Sequence, residues 1–293
     1  MNAGTDTVNE KTEELRKESK KLFEEDEINC LLGWKYDSRR DDLKPAVFTE
    51  KENLDNLFFN ERSLHNLVNY FHNVREKYDS IGIVLKGCDG RSLTTLLSEE
   101  KFDRDNIKAI AVECEGVRID GEEPSKCSDC PTHISPVSDI IIGNGEKEKI
   151  KNYEFEELKQ IEEMNPSERW EYFSEQFEKC SRCYACRQVC PLCYCDHCIA
   201  HQRDPKWIES SAKLSSNTMW NLTRAMHVAG RCADCGECER ACPEDIPLRL
   251  LNTAVEKFII EKIDVRPGTD PNENPPLTRF SEDDPESLMG GCD

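Results

Sequence analysis

The chain has 293 residues, 37% hydrophobic and 33% charged, with a formal net charge of −20 and 17 cysteines. That length suits about two domains, and so acidic a balance argues against nucleic acid as a partner, since phosphate binding needs clustered Lys and Arg. No apolar run approaches the roughly 20 residues of a membrane span, so no transmembrane segment is expected, and the opening MNAGTDTVNEKTEELRKESKKLF has no apolar signal core.

A secreted disulfide scaffold would be short and would carry an export signal. Dense, regularly spaced cysteines without one point instead to metal ligands in a reducing, cytoplasmic protein. Residues 1–27 are rich in Glu and Lys and read as a solvated helix or an arm. From 28 to 150 the pattern is α/β. Apolar runs at 28–34, 46–48, 81–85, 107–112 and 140–142 alternate with helical stretches, notably 63–78 and 92–99. Such alternation predicts a mostly parallel sheet. Residues 151–263 read as all-α. Asn165-Pro166-Ser167-Glu168 looks like a helix start, and Trp170, Phe173 and Phe177 then form one apolar face, expected in the core. Residues 264–293 are acidic and proline-rich, and read as an extended tail or a segment that drapes over something else.

Two cysteine blocks share one spacing: Cys180, Cys183, Cys186 and Cys190-Pro191, then Cys232, Cys235, Cys238 and Cys242-Pro243. This is the two-cluster ferredoxin run, in which the fourth cysteine of each block ligates the other block's cluster. Three closely spaced thiolates wrap one face of a [4Fe–4S] cube, and the fourth is carried across by a helix starting near Cys190 or Cys242. The expected ligand sets are therefore Cys180, Cys183, Cys186 and Cys242 for one cluster, and Cys232, Cys235, Cys238 and Cys190 for the other. Zinc is the rival metal, but zinc ribbons use pairs of CxxC rather than triplets followed by Cys-Pro. The insert 191–231 holds a predicted helix at 216–228, and helices at 166–179 and 246–262 flank the blocks. The arrangement resembles the α-helical ferredoxin domain found in the iron–sulfur subunits of succinate dehydrogenase and heterodisulfide reductase.

Three more cysteines, Cys193, Cys195 and Cys198, fall in CPLCYCDHC. They read either as a further metal site, completed by Cys30, Cys292, His197, His201 or a partner chain, or as spare thiols near the second cluster.

In the α/β region Cys88 and Cys114 end two predicted strands, and Cys127 and Cys130 form a CxxC. Sites in parallel sheets form at the carboxyl ends of strands, so the four make one constellation. Gly87-Cys88-Asp89-Gly90 is too short for a phosphate-binding fingerprint. A nucleophilic thiol at a helix N-terminus and a zinc site stay open as readings of the residues alone. KGCDGRSL at 86–93, Cys114 and KCSDCPTHISPVSDIIIGN at 126–144 resemble the coenzyme F-420 hydrogenase/dehydrogenase beta-subunit family. That resemblance implies a third [4Fe–4S] cluster on Cys88, Cys114, Cys127 and Cys130, with a flavin such as FAD beside it. On this reading Gly87 and Gly90 leave room for the cube, and Asp89 acts on its electrostatics. No flavin or deazaflavin contact motif is legible, and residues 28–145 are shorter than the family's flavin-bearing unit.

The expected function is an electron-transfer subunit of an anaerobic oxidoreductase complex with three [4Fe–4S] clusters, or four if Cys193, Cys195 and Cys198 hold one. By resemblance its partners are a formate dehydrogenase or hydrogenase subunit and a heterodisulfide-reductase-like flavoprotein. The alternative is a flavin-containing subunit that itself reacts with a hydride carrier such as a deazaflavin coenzyme. A zinc-binding structural or regulatory protein is the remaining reading.

Overall fold

The computed structural model describes residues 9–128, 130–145 and 155–278. The boundary expected at 150/151, the first residues of the arm, the tail beyond 278 and Cys292 lie outside them. The chain begins with helix α1 (Glu10–Glu24), strands β1 (Cys30–Asp37), β2 (Asp42–Phe48) and β3 (Leu57–Phe58), and helix α2 (Val68–Arg75). Then come β4 (Ile81–Leu85), α3 (Gly87–Ser98), β5 (Ile107–Val112), the single turn α4 (Ser125–Ser128) and β6 (Ile140–Ile142). Helices follow: α5 (Lys159–Glu163), α6 (Pro166–Glu178), α7 (Ala185–Gln188), α8 (Leu214–His227), α9 (Glu237–Arg240) and α10 (Leu248–Ile263).

The sheet runs β2-β1-β4-β5-β6. It is mixed rather than mostly parallel. β1–β4, β4–β5 and β5–β6 pair in parallel, but β1 pairs antiparallel with both β2 and β3. A short turn at 38–41, with Asp41 at φ 51°, folds β1 back onto β2, and only antiparallel strands can be joined so tightly. β4 is buried along its whole length and β5 nearly so, which explains their unbroken apolar runs: both faces are covered.

Helix α1 is not a solvated arm. Thr12, Leu15, Ser19 and Leu22 form a buried stripe, and Leu15 and Leu22 belong to the main core. The Thr12 hydroxyl donates to the Phe59 carbonyl at 2.9 Å, and beside the stripe Arg16 Nε donates to the Leu57 carbonyl at 2.8 Å. A stripe with two apolar residues hides its burial from a hydropathy reading. The expected apolar face of α6 departs in the other direction. Phe177 is buried, yet Trp170 is 58% exposed and lies on an open groove with Phe258, itself 43% exposed.

Several side chains join the two halves, Arg91 and Lys126 among them. Arg91, on α3 and 2% exposed, donates to the carbonyls of Cys232, Ala233 and Pro267 and to Glu256 Oε1 at 2.8 Å. Residues 265–267 are buried against α3, so the start of the tail drapes over the chain's own helix. Gly268 allows this: its φ is +70°, and a Cβ there would come within 2.2 Å of the Arg91 carbonyl oxygen. Replacing Arg91 by Met leaves buried Glu256 facing Arg266 at 3.5 Å. Breaking a buried ion pair costs about 3–5 kcal/mol. Arg91→Met should therefore melt at a clearly lower temperature in anaerobic thermal denaturation, whereas an unchanged melting point would show that Arg91 does not hold the halves together.

Candidate metal centres

β4 and β5 are adjacent and parallel, with Leu85 opposite Ala111, so their carboxyl ends set Cys88 and Cys114 side by side. Cys88 lies in the first turn of α3, which starts at Gly87 and not at 92. The loop after α4 then crosses both. Cys114 N–H donates to the His133 carbonyl at 2.9 Å, and the Cys130 N–H closes a tight turn onto Cys127. Cys88, Cys114, Cys127 and Cys130 line one largely enclosed cavity of about 30 Å³.

The glycines beside Cys88 serve this crossing. A Cβ on Gly87 would come within 1.8 Å of the Thr132 carbonyl oxygen, and one on Gly90 within 2.1 Å of Ser135 Oγ. The space is taken by the chain's own loop, which corrects the expectation that the glycines clear room for a cube. Asp89 is also committed locally. Its carboxylate accepts from the Lys86 backbone N–H at 3.3 Å and from Lys86 Nζ at 2.9 Å, an N-terminal capping arrangement. Lys86 in turn stacks 4.2 Å from the Trp34 ring centroid.

Burial pushes the Cys88 thiol well above its ordinary range and the Cys114 thiol up to about 11. A nucleophilic cysteine needs the opposite shift, so the geometry disfavours the nucleophile reading. Such thiols become thiolates when a metal displaces their protons.

The two C-terminal blocks share one backbone. Residues at matching positions adopt left-handed conformations: Arg182 and Asp234 at φ 61° and 52°, Tyr184 and Gly236 at φ 61° and 69°. The third cysteine of each block lies in a one-turn helix, Cys186 in α7 and Cys238 in α9, and the fourth follows it. Cys190 and Cys242 thus close their short helices rather than start new ones.

Cys190 lines an enclosed cavity with Cys232, Cys235 and Cys238, the set expected from the crossed spacing. Cys186 is buried in a second cluster against which Cys180 and Cys242 pack, while Cys183 is exposed. Among the described residues no three His, Cys, Asp or Glu side chains close around a single ion position; these thiols are arranged around cavities. A polynuclear group held at several corners fits such donor sets.

Ala233 and Asp234 line both the cavity of Cys88 and that of Cys190. The two cavities therefore share a wall. On the far side, Arg224 from α8 reaches into the Cys190 cavity. Burial opposes its charge, but Cys238, Cys190, Cys186 and Cys193 around it hold its pKa well above the ordinary value. The three thiol sets thus stand in order, with the set containing Cys190 in the middle.

The three remaining cysteines are not drawn into one site. Cys193 packs against the α/β core with its thiol beside that of Cys190, Cys198 packs near Cys242, and Cys195 is exposed. Cys30 is fully buried at the opposite end of the sheet from Cys88, paired with the first residue of β4. Sequence reading missed the buried cations Lys86, Arg91 and Arg224, as well as Lys126, whose Nζ donates to the Cys235 carbonyl at 2.6 Å. Nothing in spacing or periodicity marks Arg91, Arg224 and Lys126, since the groups they meet are distant in sequence, whereas Lys86 pairs with Asp89 three residues on. It also missed Asn217, which donates to both the Phe177 and Cys180 carbonyls at 2.9 Å and fixes the first block to α8.

Residues 179–247 match the family model described as a 4Fe-4S dicluster domain. The chain is also similar to the F420-dependent formate dehydrogenase subunit beta of Methanocaldococcus jannaschii, at 36% identity over 121 residues, covering 41% of this chain and 30% of that protein. It is 32% identical over 119 residues to F420-dependent formate dehydrogenase 1 subunit beta of Methanococcus maripaludis, covering 40% of this chain and 29% of that one. The matching segment thus spans less than a third of either relative. These similarities bear out the resemblance drawn from the cysteine motifs, and the family match supports the iron–sulfur character of the C-terminal blocks.

A Gly87→Ala substitution should displace the loop that carries Cys130. The expected loss is about four irons per chain with the remainder kept, read by anaerobic iron and acid-labile sulfide assays. Full iron retention would detach this loop from metal binding.

Proposed function

We propose that the chain is an iron–sulfur electron-transfer subunit of a formate-dehydrogenase-type or hydrogenase-type complex, with three [4Fe–4S] centres in a line. Cys88, Cys114, Cys127 and Cys130 would hold one. Cys190, Cys232, Cys235 and Cys238 would hold the middle one, and Cys180, Cys183, Cys186 and Cys242 the last. Each such centre supplies one-electron storage and release. The observation that carries this reading is the wall of Ala233 and Asp234 common to the first two cavities. Neighbouring centres with so little protein between them suit electron relay rather than separate structural roles.

The protein's own part is positioning. Arg91 docks the second cysteine block on the helix that carries Cys88, and Asn252 Nδ2 lies 3.5 Å from Cys238 Sγ, within reach of a hydrogen bond to a ligand sulfur. Such contacts orient ligands and tune the bound group. On this reading residues 28–150 form the α/β unit and residues 151–263 an all-α dicluster unit. The partners would be a catalytic dehydrogenase or hydrogenase subunit and a heterodisulfide-reductase-like flavoprotein. The separated positions of Cys193, Cys195 and Cys198 favour three centres over four.

The flavin alternative has less support. The open cleft next to Cys114 is lined by five glutamates, Glu10, Glu61, Glu113, Glu115 and Glu123, against two cations, Lys11 and Arg118. Lys11 within it is tied to Glu113 and Glu115. A diphosphate-bearing flavin would meet like charge there. Among the described residues no helix is long and apolar enough to cross a membrane.

The chain isolated anaerobically in its native complex should hold about twelve irons, with about eight left in a Cys88→Ala variant and no flavin in the acid extract of the purified chain. Fewer than about eight irons in the parent chain, or stoichiometric flavin, would defeat the relay reading.

A further inference from the structure

Lys126 lines the cavity of Cys88, Cys114, Cys127 and Cys130, yet its ammonium reaches the loop of the other set, donating to the Cys235 carbonyl at 2.6 Å. Its stem lies on the second block's backbone, where a Cβ on Gly236 would come within 2.6 Å of Lys126 Cδ. Gly236, at φ +69°, therefore leaves room for this lysine as well as meeting the loop's backbone demand. Among the described residues Lys126 makes no ion pair with a carboxylate. Glu237 and Asp234, the acids of that loop, are paired with Arg240 and Arg249. An ammonium taken from water onto a lone carbonyl is costly unless other anions compensate. The charged groups around this one are thiols from two different sets, Cys88 and Cys127 on one side and Cys235 on the other, together with Glu237, whose carboxylate is itself paired with Arg240.

We propose that Lys126 is a positioning residue shared by two metal centres, its single charge favouring the reduced state of both. This rests on the reading of the two thiol sets as [4Fe–4S] ligands. On reduction a centre gains one electron and one unit of negative charge with no bond made or broken. A fixed cation between two centres in a poorly solvated region lowers the energy of that added charge at each. It therefore raises both reduction potentials together. The third set, beyond Arg224, lies outside its reach.

The test is a potentiometric titration of the full chain, followed by electron paramagnetic resonance, using a low-potential reductant. Cys88→Ala and Cys180→Ala chains resolve the signals. Lys126→Gln keeps a donor for the Cys235 carbonyl but removes the charge, and Lys126→Arg keeps the charge. Lys126→Gln should retain parental iron. At the potential where the parent centres are half reduced, both centres of the pair should show a reduced-to-oxidised ratio about tenfold lower, which for a one-electron couple is about 59 mV. The third centre should be unchanged, and Lys126→Arg should restore the pair. Unchanged ratios, a shift at one centre alone, a shift that Lys126→Arg fails to restore, or loss of iron from both variants would each overturn the proposal. Iron in the parent chain is read first. A value below about eight per chain would instead sink the cluster reading, and this proposal with it.

Discussion

The buried guanidinium of Arg91 is the contact on which the arrangement turns. It stands one turn along α3 from Cys88 and gathers three segments at once: the second cysteine block through Cys232 and Ala233, α10 through Glu256, and the chain beyond it through Pro267. Taking an arginine out of water is tolerable only when its donors are satisfied and a carboxylate faces it. Here Glu256, 1% exposed, supplies the charge and the carbonyls accept the remaining donors. Two of those carbonyls, of Cys232 and Ala233, belong to the second cysteine block, so the hydrogen bonds to them also set the distance between the strand-end thiol set and that block.

The same logic explains why the sites were legible in the sequence and their order was not. Block spacing is local, and it constrained which thiols meet: Cys190 does line a cavity with the triplet of the other block. β4, β5 and β6 fall where their apolar runs do; for β4 and β5 the reason is burial of both faces, which leaves no ambiguity of period. The antiparallel strand β3 and the buried stripe of α1 were invisible, since β3 has two residues and half of the α1 stripe is Thr12 and Ser19, which no apolar period marks. That the α/β site abuts the Cys190 cavity depends on Arg91, Ala233, Asp234 and Lys126. No two of the interacting elements there are neighbours in sequence, so no window of residues could have revealed them.

The glycines of Gly87-Cys88-Asp89-Gly90 serve the thiol set for a different local reason than their size suggests. Small residues next to a suspected ligand suggest space for the ligand's partner. Instead the Thr132 and Ser135 loop presses on them. The requirement is one step removed: the loop must come close because it carries Cys130 past Cys88. Substitution there acts on the site through the crossing backbone.

Charge distribution separates the surface from the interior. The chain carries a net charge of −20, yet the side chains set among the thiols include Lys86, Arg91, Lys126 and Arg224. Four thiolates on a cluster bring a concentrated negative charge into a region where water cannot screen it. Buried cations offset that charge at fixed positions, while the carboxylates of the same loops, Asp234 and Glu237, are each held by an arginine of their own. Surface acidity is thereby free to serve solubility or the choice of partner. The interior cations are constrained by geometry: each must lie between groups that would otherwise repel, and this is where Lys126 and Arg224 stand, one on either side of the middle set.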